Sequence, residues 1–351
     1  MKATYQKYLL DFKQPSRTSR GILNQKETWF LVIEKEGKKG IGECGILRGL
    51  SCDDRDDYEE KLIWLCNNIN LDKDDLWESL LEFPSIQFGL EMALTSLKSE
   101  NPFLLFPSNF TSGEDCIVIN GLIWMGSAEF MQQQITEKIA QGFRCVKLKI
   151  GAIDFQKELD LLHSIRSKFR ADEMEIRVDA NGAFDTTEAL NKINQIAGYL
   201  IHSIEQPIQK NNTDSMSYLC KNTTLPIALD EELIGVFSVA DKEALIQKIM
   251  PQYIILKPSF IGGFRGAEEW ISIAEKYNVG WWITSALESN IGLNAIAQWT
   301  YLKQNKMPQG LGTGGLFTNN FNSPLEVNRG KLFYNNNLNW EINIETFQFN
   351  K

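Results

Sequence analysis

From residue 117 onward the chain repeats one pattern, a short apolar run that ends in an ionisable or hydroxyl side chain and is followed by an amphipathic stretch. The runs CVKLKI, EIRVDA, HSIEQ, PIALDE, YIILKP and WWITSA place Lys149, Asp179, Glu205, Asp230, Lys257 and Ser285 at or near their ends, each 25 to 30 residues after the last. Between them lie helical spacings such as Met131/Ile135/Ile139, Leu159/Leu162 and Leu190/Ile193/Ala197. Strands that alternate with helices build a parallel sheet, because each crossover needs about a dozen residues or more. One βα unit fits each interval. The expected fold class is α/β, a TIM-like (β/α)-barrel over residues 106–320, with every strand end delivered to the same mouth.

The first 105 residues read differently. Strand-like segments around Tyr5–Phe12 and Glu27–Glu34, with a turn at Glu36-Gly37-Lys38, precede two helical stretches, an α+β pattern for a smaller capping domain. Leu62, Leu65, Cys66 and Ile69 share one helical face, expected to pack on that small sheet. The breaker-rich segment 106–115 marks the boundary. Asp185 and Glu188 have the spacing of a capping box, which predicts a helix start right after VDANGAF. The last segment, 321–351, holds strand-like pieces (KLFYN, NWEINI) and is expected to return to the capping domain. A chain of 351 residues, 43% hydrophobic, is long enough for both units.

Composition narrows the partners. Forty-five acidic residues against 36 basic, with Lys and Arg scattered, disfavour nucleic acid. The opening MKATYQKYLLDFKQ lacks an apolar run after its lysines, and no stretch of about 18 apolar residues occurs, so the expectation is a soluble, cytoplasmic protein without a membrane partner. Six irregularly spaced cysteines suggest neither a disulfide framework nor a zinc ribbon.

Singly, each strand-end residue reads equally well as a loop cap or a solvated charge. Their shared phase joins them. Three carboxylates on adjacent strands, Asp179, Glu205 and Asp230, repel one another unless a cation lies among them, and an all-oxygen set suits a hard ion such as Mg²⁺. Lys149 and Lys257, from the second and sixth barrel strands, flank that position, where the ion's charge would lower a lysine's pKa toward that of a base. His163 and His202, the two histidines, lie in a helical stretch and just before Glu205, neither placed as a strand-end base.

With K-x-K at 147–149, R-x-D-x-N at 177–181, and the strand ends above, the chain resembles the enolase superfamily, in its muconate-lactonising-like subgroup, over nearly its whole length. Ser19-Arg20-Gly21, KETWFLVI and GIGECGILRGLS resemble that subgroup's capping loops. The resemblance implies Lys149 and Lys257 as the catalytic pair, Asp179, Glu205 and Asp230 as Mg²⁺ ligands, Lys147 on the substrate carboxylate, and Arg177 and Asn181 as a supporting shell. Glu231 and Glu232 remain open as further ligands. Ser285, Glu288 and Ser289, with Gly312, Thr313 and Gly314, are expected to wall the substrate pocket. The glycines Gly40, Gly42 and Gly49 read either as tight turns near a ligand or as hairpin glycines. The implied partner is a small-molecule carboxylate, and the implied chemistry is proton removal beside that carboxylate. Dipeptide epimerases of the family carry an acidic pair after strand eight, whereas this loop, 310–316, has no carboxylate and offers backbone N–H groups to an anionic tail. Dehydration, racemisation of an N-succinylamino acid and a non-catalytic binding barrel are the readings left open.

Overall fold

The computed structural model describes residues 1–18 and 21–342; the Ser19-Arg20 part of the first capping loop lies outside them. The chain begins with an antiparallel sheet of β1 (Lys2–Thr18), β2 (Gly21–Lys35) and β3 (Lys38–Gly45). The β2–β3 turn sits on Glu36 and Gly37, both at positive φ (53° and 78°), the backbone that a two-residue hairpin requires. Alternate β2 residues leave by opposite faces. Trp29, Leu31 and Ile33 pack into the cap's own core, while Phe30 and Val32 join the core of the barrel. A sheet covered on both sides needs an unbroken apolar strand, which is why TWFLVI shows no alternation.

Three helices follow, α1 (Tyr58–Asn68), α2 (Lys73–Ser79) and α3 (Pro84–Lys98). Leu62, Leu65 and Ile69 are buried against the sheet as their spacing predicts. Helix α3 lies so close to β3 that a Cβ on Gly42 would stand 1.9 Å from Gly89 O, and one on Gly40 2.2 Å from Ala93 O. The two β3 glycines therefore serve a backbone approach between helix and strand rather than a ligand.

The barrel runs through β4 (Cys116–Val118), β5 (Gly121–Ile123), α4 (Ala128–Ala140), β6 (Cys145–Lys149), α5 (Phe155–Arg166), β7 (Glu175–Asp179) and α6 (Ala189–Ala197). It continues with β8 (Ser203–Glu205), α7 (Thr213–Asn222), β9 (Ile227–Leu229), α8 (Val239–Ile249), β10 (Tyr253–Leu256), α9 (Gly263–Lys276), β11 (Gly280–Ile283) and α10 (Asn290–Leu302). Strands β5 to β11 form one parallel sheet in chain order. Its open edge is closed by two residues, Gln309 bridging Ile119 and Gly310 bridging Thr284. Helix α6 starts later than expected. Asp185 accepts from Thr187 N and Oγ1, which stabilises a preceding turn instead of capping the helix, and Glu188 becomes the uncapped N-terminal residue.

The tail holds β12 (Leu325–Asn328) and β13 (Lys331–Tyr334), and β13 pairs with β4 rather than with the cap sheet. The segment just before them meets the cap instead, through Phe12 paired with Phe317 and Tyr8 Oη donating to Asn319 O. The NWEINI piece is irregular as far as Ile342, and its remainder lies outside the described residues. All six cysteines are free. Among the described residues no helix is long and apolar enough to cross a membrane.

Cap and barrel are joined by carboxylates placed on helix N-termini, where unpaired N–H groups and the helix dipole favour negative charge. Glu91 of α3 accepts from Phe264 N at 2.6 Å and from Arg265 N at 3.2 Å, in the first turn of α9. Burial pushes its pKa up to about 7, against those N–H groups and the nearby Lys73 and Arg265. Between pH 4.5 and about 7 such a carboxyl is protonated in the folded chain while already ionised in the unfolded one. Its contribution to stability is complete below pH 4.5 and is lost as the pH rises through 7. Glu91→Gln keeps an oxygen for the N–H pair and removes the titration. Thermal denaturation across pH 4–8 should show the variant gaining on the wild type toward high pH, by at most about 3 kcal/mol; parallel curves would dismiss the effect.

Candidate active site

Strand register sets the level of each side chain. Lys149 pairs with Asp179 and Asp179 with Glu205, so these three stand at one height on β6, β7 and β8. Two residues lower, Lys147, Arg177 and Ser203 form a second inward-facing layer. Asp230 follows β9 directly and Lys257 follows β10, which completes an arc of ionisable groups around the mouth.

The groups are paired and buried. Lys147 Nζ lies 2.9 Å from Asp179 Oδ2 and also donates to Glu205 Oε2, and Lys149 Nζ lies 3.1 Å from Asp179 Oδ2. Lys149 also donates to Asn181 Oδ1 at 2.6 Å, and Asn181 Nδ2 in turn donates to Glu231 Oε1 at 3.0 Å. Lys257 donates to Asp230 Oδ2 on the other side. Burial disfavours the ionised form of Asp179, yet the ammonium groups of Lys147, Lys149 and Lys257 prevail and hold its carboxyl well below the usual range. Glu205 goes the other way, pushed well up by burial and by the neighbouring charges of Asp179 and Asp230. Burial pulls Lys147 and Lys257 down, but the carboxylates around them win and keep both ammoniums protonated.

The fit of a cation follows from these observations. Among the described residues the carboxylates are not gathered into one closed ligand shell; lysine ammoniums lie between them. Four acidic groups, Asp179, Glu205, Asp230 and Glu231, share the mouth with three lysines, and the raised pKa of Glu205 reflects burial and a repulsion from Asp179 and Asp230 that a bound cation would relieve. Glu205 Oε1 is buried with no hydrogen-bond partner among the described residues. An all-oxygen donor set with an unsatisfied oxygen and mutually repelling carboxylates suits a hard divalent ion.

Other expected site residues are engaged with protein groups. Arg177 turns down the barrel, where Nε donates to Glu175 at 2.7 Å, Nη1 to Pro308 O at 2.9 Å, and the guanidinium stacks 4.2 Å from the Trp282 ring centroid. It fills the interior beneath the site and does not face the mouth. Glu288 and Ser289 are fully buried and engaged with other protein groups, and so do not form an open pocket wall. Ser289 Oγ caps α10 and donates to Glu43 of the cap at 2.5 Å. Ser285 Oγ donates to Glu288 Oε2 at 2.6 Å and accepts from Thr313 Oγ1 at 2.9 Å. Gly314 packs on α10, its absent Cβ 2.6 Å from Asn290 Oδ1, whereas Gly312 has only ordinary contacts. Of the open pair, Glu231 faces the site through Asn181 and Lys257, while Glu232 turns away to Gln206 Nε2 and Asn211 N. His202 packs on Tyr253 and Trp282 inside the barrel, its pKa lowered by burial.

Sequence reasoning missed Gln206. At φ 40° it sends Oε1 to the N–H groups of Asp230 and Glu232, 3.3 Å from each, and so steers Asp230 from the neighbouring strand. Its place directly after Glu205 was the available signal.

A seven-stranded parallel half-barrel closed by a short segment, capped by an α+β domain and carrying lysines and carboxylates on consecutive strand ends, defines a class. Residues 131–335 match the family described as Enolase C-terminal domain-like. The chain belongs to the enolase superfamily. Within it, the chain is 45% identical to an o-succinylbenzoate synthase of Desulfotalea psychrophila, over 95% of this chain and 98% of that one. The crystal structure of MenC from the same organism superposes with a TM-score of 0.85 at 42% identity, covering 95% and 99% of the two chains. More distant is the L-Ala-D/L-Glu epimerase of Bacillus subtilis, 27% identical over 54% of this chain and 52% of its own. A substrate-liganded structure of the B. subtilis epimerase shares the fold, with a TM-score of 0.81 at 21% identity over 95% and 96% of the chains.

Proposed function

We propose that the chain is an o-succinylbenzoate synthase, a hydro-lyase that converts 2-succinyl-6-hydroxy-2,4-cyclohexadiene-1-carboxylate to 2-succinylbenzoate, with Mg²⁺ as its ion, in a step toward menaquinone. The observation that carries the reading is the pair of lysines, Lys149 and Lys257, reaching one carboxylate cluster from opposite sides. A binding protein has no use for such a pair. The 45% identity to a synthase along nearly the full length favours dehydration over epimerisation.

Asp179, Glu205 and Asp230 would hold the ion, which when bound draws electron density from the substrate carboxylate and makes the neighbouring ring C–H more acidic. Lys149 accepts that proton, its Nζ oriented by Asn181. The same ammonium then donates a proton to the departing hydroxyl, so that one C–H and one C–O bond break, water leaves, and the ring becomes aromatic. Lys257, kept protonated by Asp230 and Glu205, stands across the ring and stabilises the negative charge that develops there. Asn181 also ties Lys149 to Glu231, which prevents the base from swinging away.

The purified protein with Mg²⁺ and the cyclohexadiene substrate should show loss of the diene's ultraviolet absorbance. Unchanged absorbance, together with racemisation of an N-succinylamino acid, would replace the proposal with its rival.

A further inference from the structure

Lys26 lies on β2, at the seam between cap and barrel, only 2% exposed, and its ammonium has no hydrogen-bond partner among the described residues. Burial pulls its pKa down, and two fully buried carboxylates, Glu288 from the barrel and Glu43 from the cap, oppose that with their charge. Both are already supplied with neutral donors. Glu43 takes Thr28 Oγ1 (3.0 Å), Ser289 N (2.9 Å), Ser289 Oγ (2.5 Å) and Gly292 N (2.8 Å). Glu288 takes Ser259 Oγ and Ser285 Oγ, both at 2.6 Å. What the cluster draws from Lys26 is therefore charge and not hydrogen bonds.

Two glycines, one in each domain, make room for this cluster. A Cβ on Gly45 would stand 2.9 Å from Lys26 Nζ, and one on Gly292 would stand 2.8 Å from Glu43 Oε2 and 2.8 Å from Glu288 Cβ. Neither glycine has a left-handed backbone that would call for it. Gly292 even sits within α10, where glycine costs about 1 kcal/mol relative to alanine. The space itself is what these positions preserve.

Glu288 also links the segments that follow β10 and β11. Through Ser259 it holds the turn two residues beyond Lys257, and through Ser285 it reaches Thr313 in the glycine-rich segment that follows the barrel-closing residues. We infer that Lys26 is a positioning residue for the reaction, whose ammonium balances Glu43 and Glu288 and so locks the cap onto the wall formed by Ser259, Ser285 and Thr313. An uncompensated buried carboxylate is strongly destabilising, and the turns hung on Glu288 relax when its counter-charge is removed. Ser259 and Ser285 follow β10 and β11 and Thr313 lies in the closing segment, whereas Lys149, Asp179 and Glu205 end β6, β7 and β8 further along the sheet order. Substrate holding should suffer while ion binding does not.

The test combines a thermodynamic cycle with steady-state kinetics, and its kinetic arm rests on the functional reading above. Lys26→Met should lower Tm, raise KM for the cyclohexadiene substrate about tenfold or more, change kcat less than about threefold, and leave Mn²⁺ affinity unchanged. In the Lys26→Met/Glu288→Gln double variant the loss of Tm should be smaller than the two single losses combined. A Lys26→Met enzyme with wild-type KM, or losses that merely add, overturns the inference. Should Lys26→Met fail to fold, recovery of folding in the double variant supports the charge balance, and failure of both overturns it. The thermal cycle needs no substrate, so a wild type inactive on the cyclohexadiene defeats the functional reading and still leaves the coupling measurable.

Discussion

Replacing Lys149 by alanine is expected to lower kcat by about 10³-fold or more while Mg²⁺ binding stays nearly intact. General acid–base groups contribute about 10²–10⁴-fold, and here one amine is assigned both the abstraction and the return of the proton, so both steps lose their partner together. Asp179 keeps a second ammonium, Lys147 at 2.9 Å, so the carboxylate cluster does not collapse when Lys149 is shortened. Single-turnover absorbance kinetics and calorimetric titration of the ion make the comparison. Retention of more than about a tenth of the wild-type kcat, a loss under ~1.4 kcal/mol in transition-state stabilisation, would remove Lys149 from the role of base.

The second large effect is expected at Asp179. In Asp179→Asn the shape is preserved but the anion is gone, and with it the group that faces Lys147 and Lys149. Divalent-ion affinity, read by Mn²⁺ electron paramagnetic resonance, should fall by on the order of 10²-fold or more, since a hard ion binds a neutral amide far less well than a carboxylate. The same change leaves two buried ammoniums short of a counter-charge, so the ion-free variant should also unfold several degrees lower. Wild-type Mn²⁺ affinity in this variant would exclude Asp179 as a ligand.

The arc of strand ends was legible because two simple periods coincide. Alternation along a strand points every second residue inward, and the βα repeat returns the chain to the mouth every 25 to 30 residues. Lys149, Asp179 and Glu205 therefore stand at one level in the structure as their spacing implied. The same alternation is silent about up and down. Arg177 shares Asp179's inward phase, but its long side chain finds a carbonyl and an indole lower in the barrel, and sequence carries no sign of that choice. Ser289 and Glu288 show a different limit. Their position after a barrel strand suggested the mouth, yet Ser289 bonds Glu43, 246 residues away, across a domain seam that no local pattern announces. Asp185 shows the limit of short motifs, since its carboxylate found Thr187 two residues on before any helix began.

The way in which the cap is tied down also bears on how the molecule assembles. Tyr8 and Asn319 are 311 residues apart along the chain, and Phe12 pairs with Phe317 just beside them. Closing a loop of that length costs roughly 5 kcal/mol of chain entropy before any constant term, and nothing repays it until both ends are ordered. On the ribosome the first sheet is made long before its final partner exists, so the cap must wait, with part of its apolar face open, until the barrel's closing segment has emerged. High contact order of this kind slows folding, and the roof over the mouth is then the last part to seal.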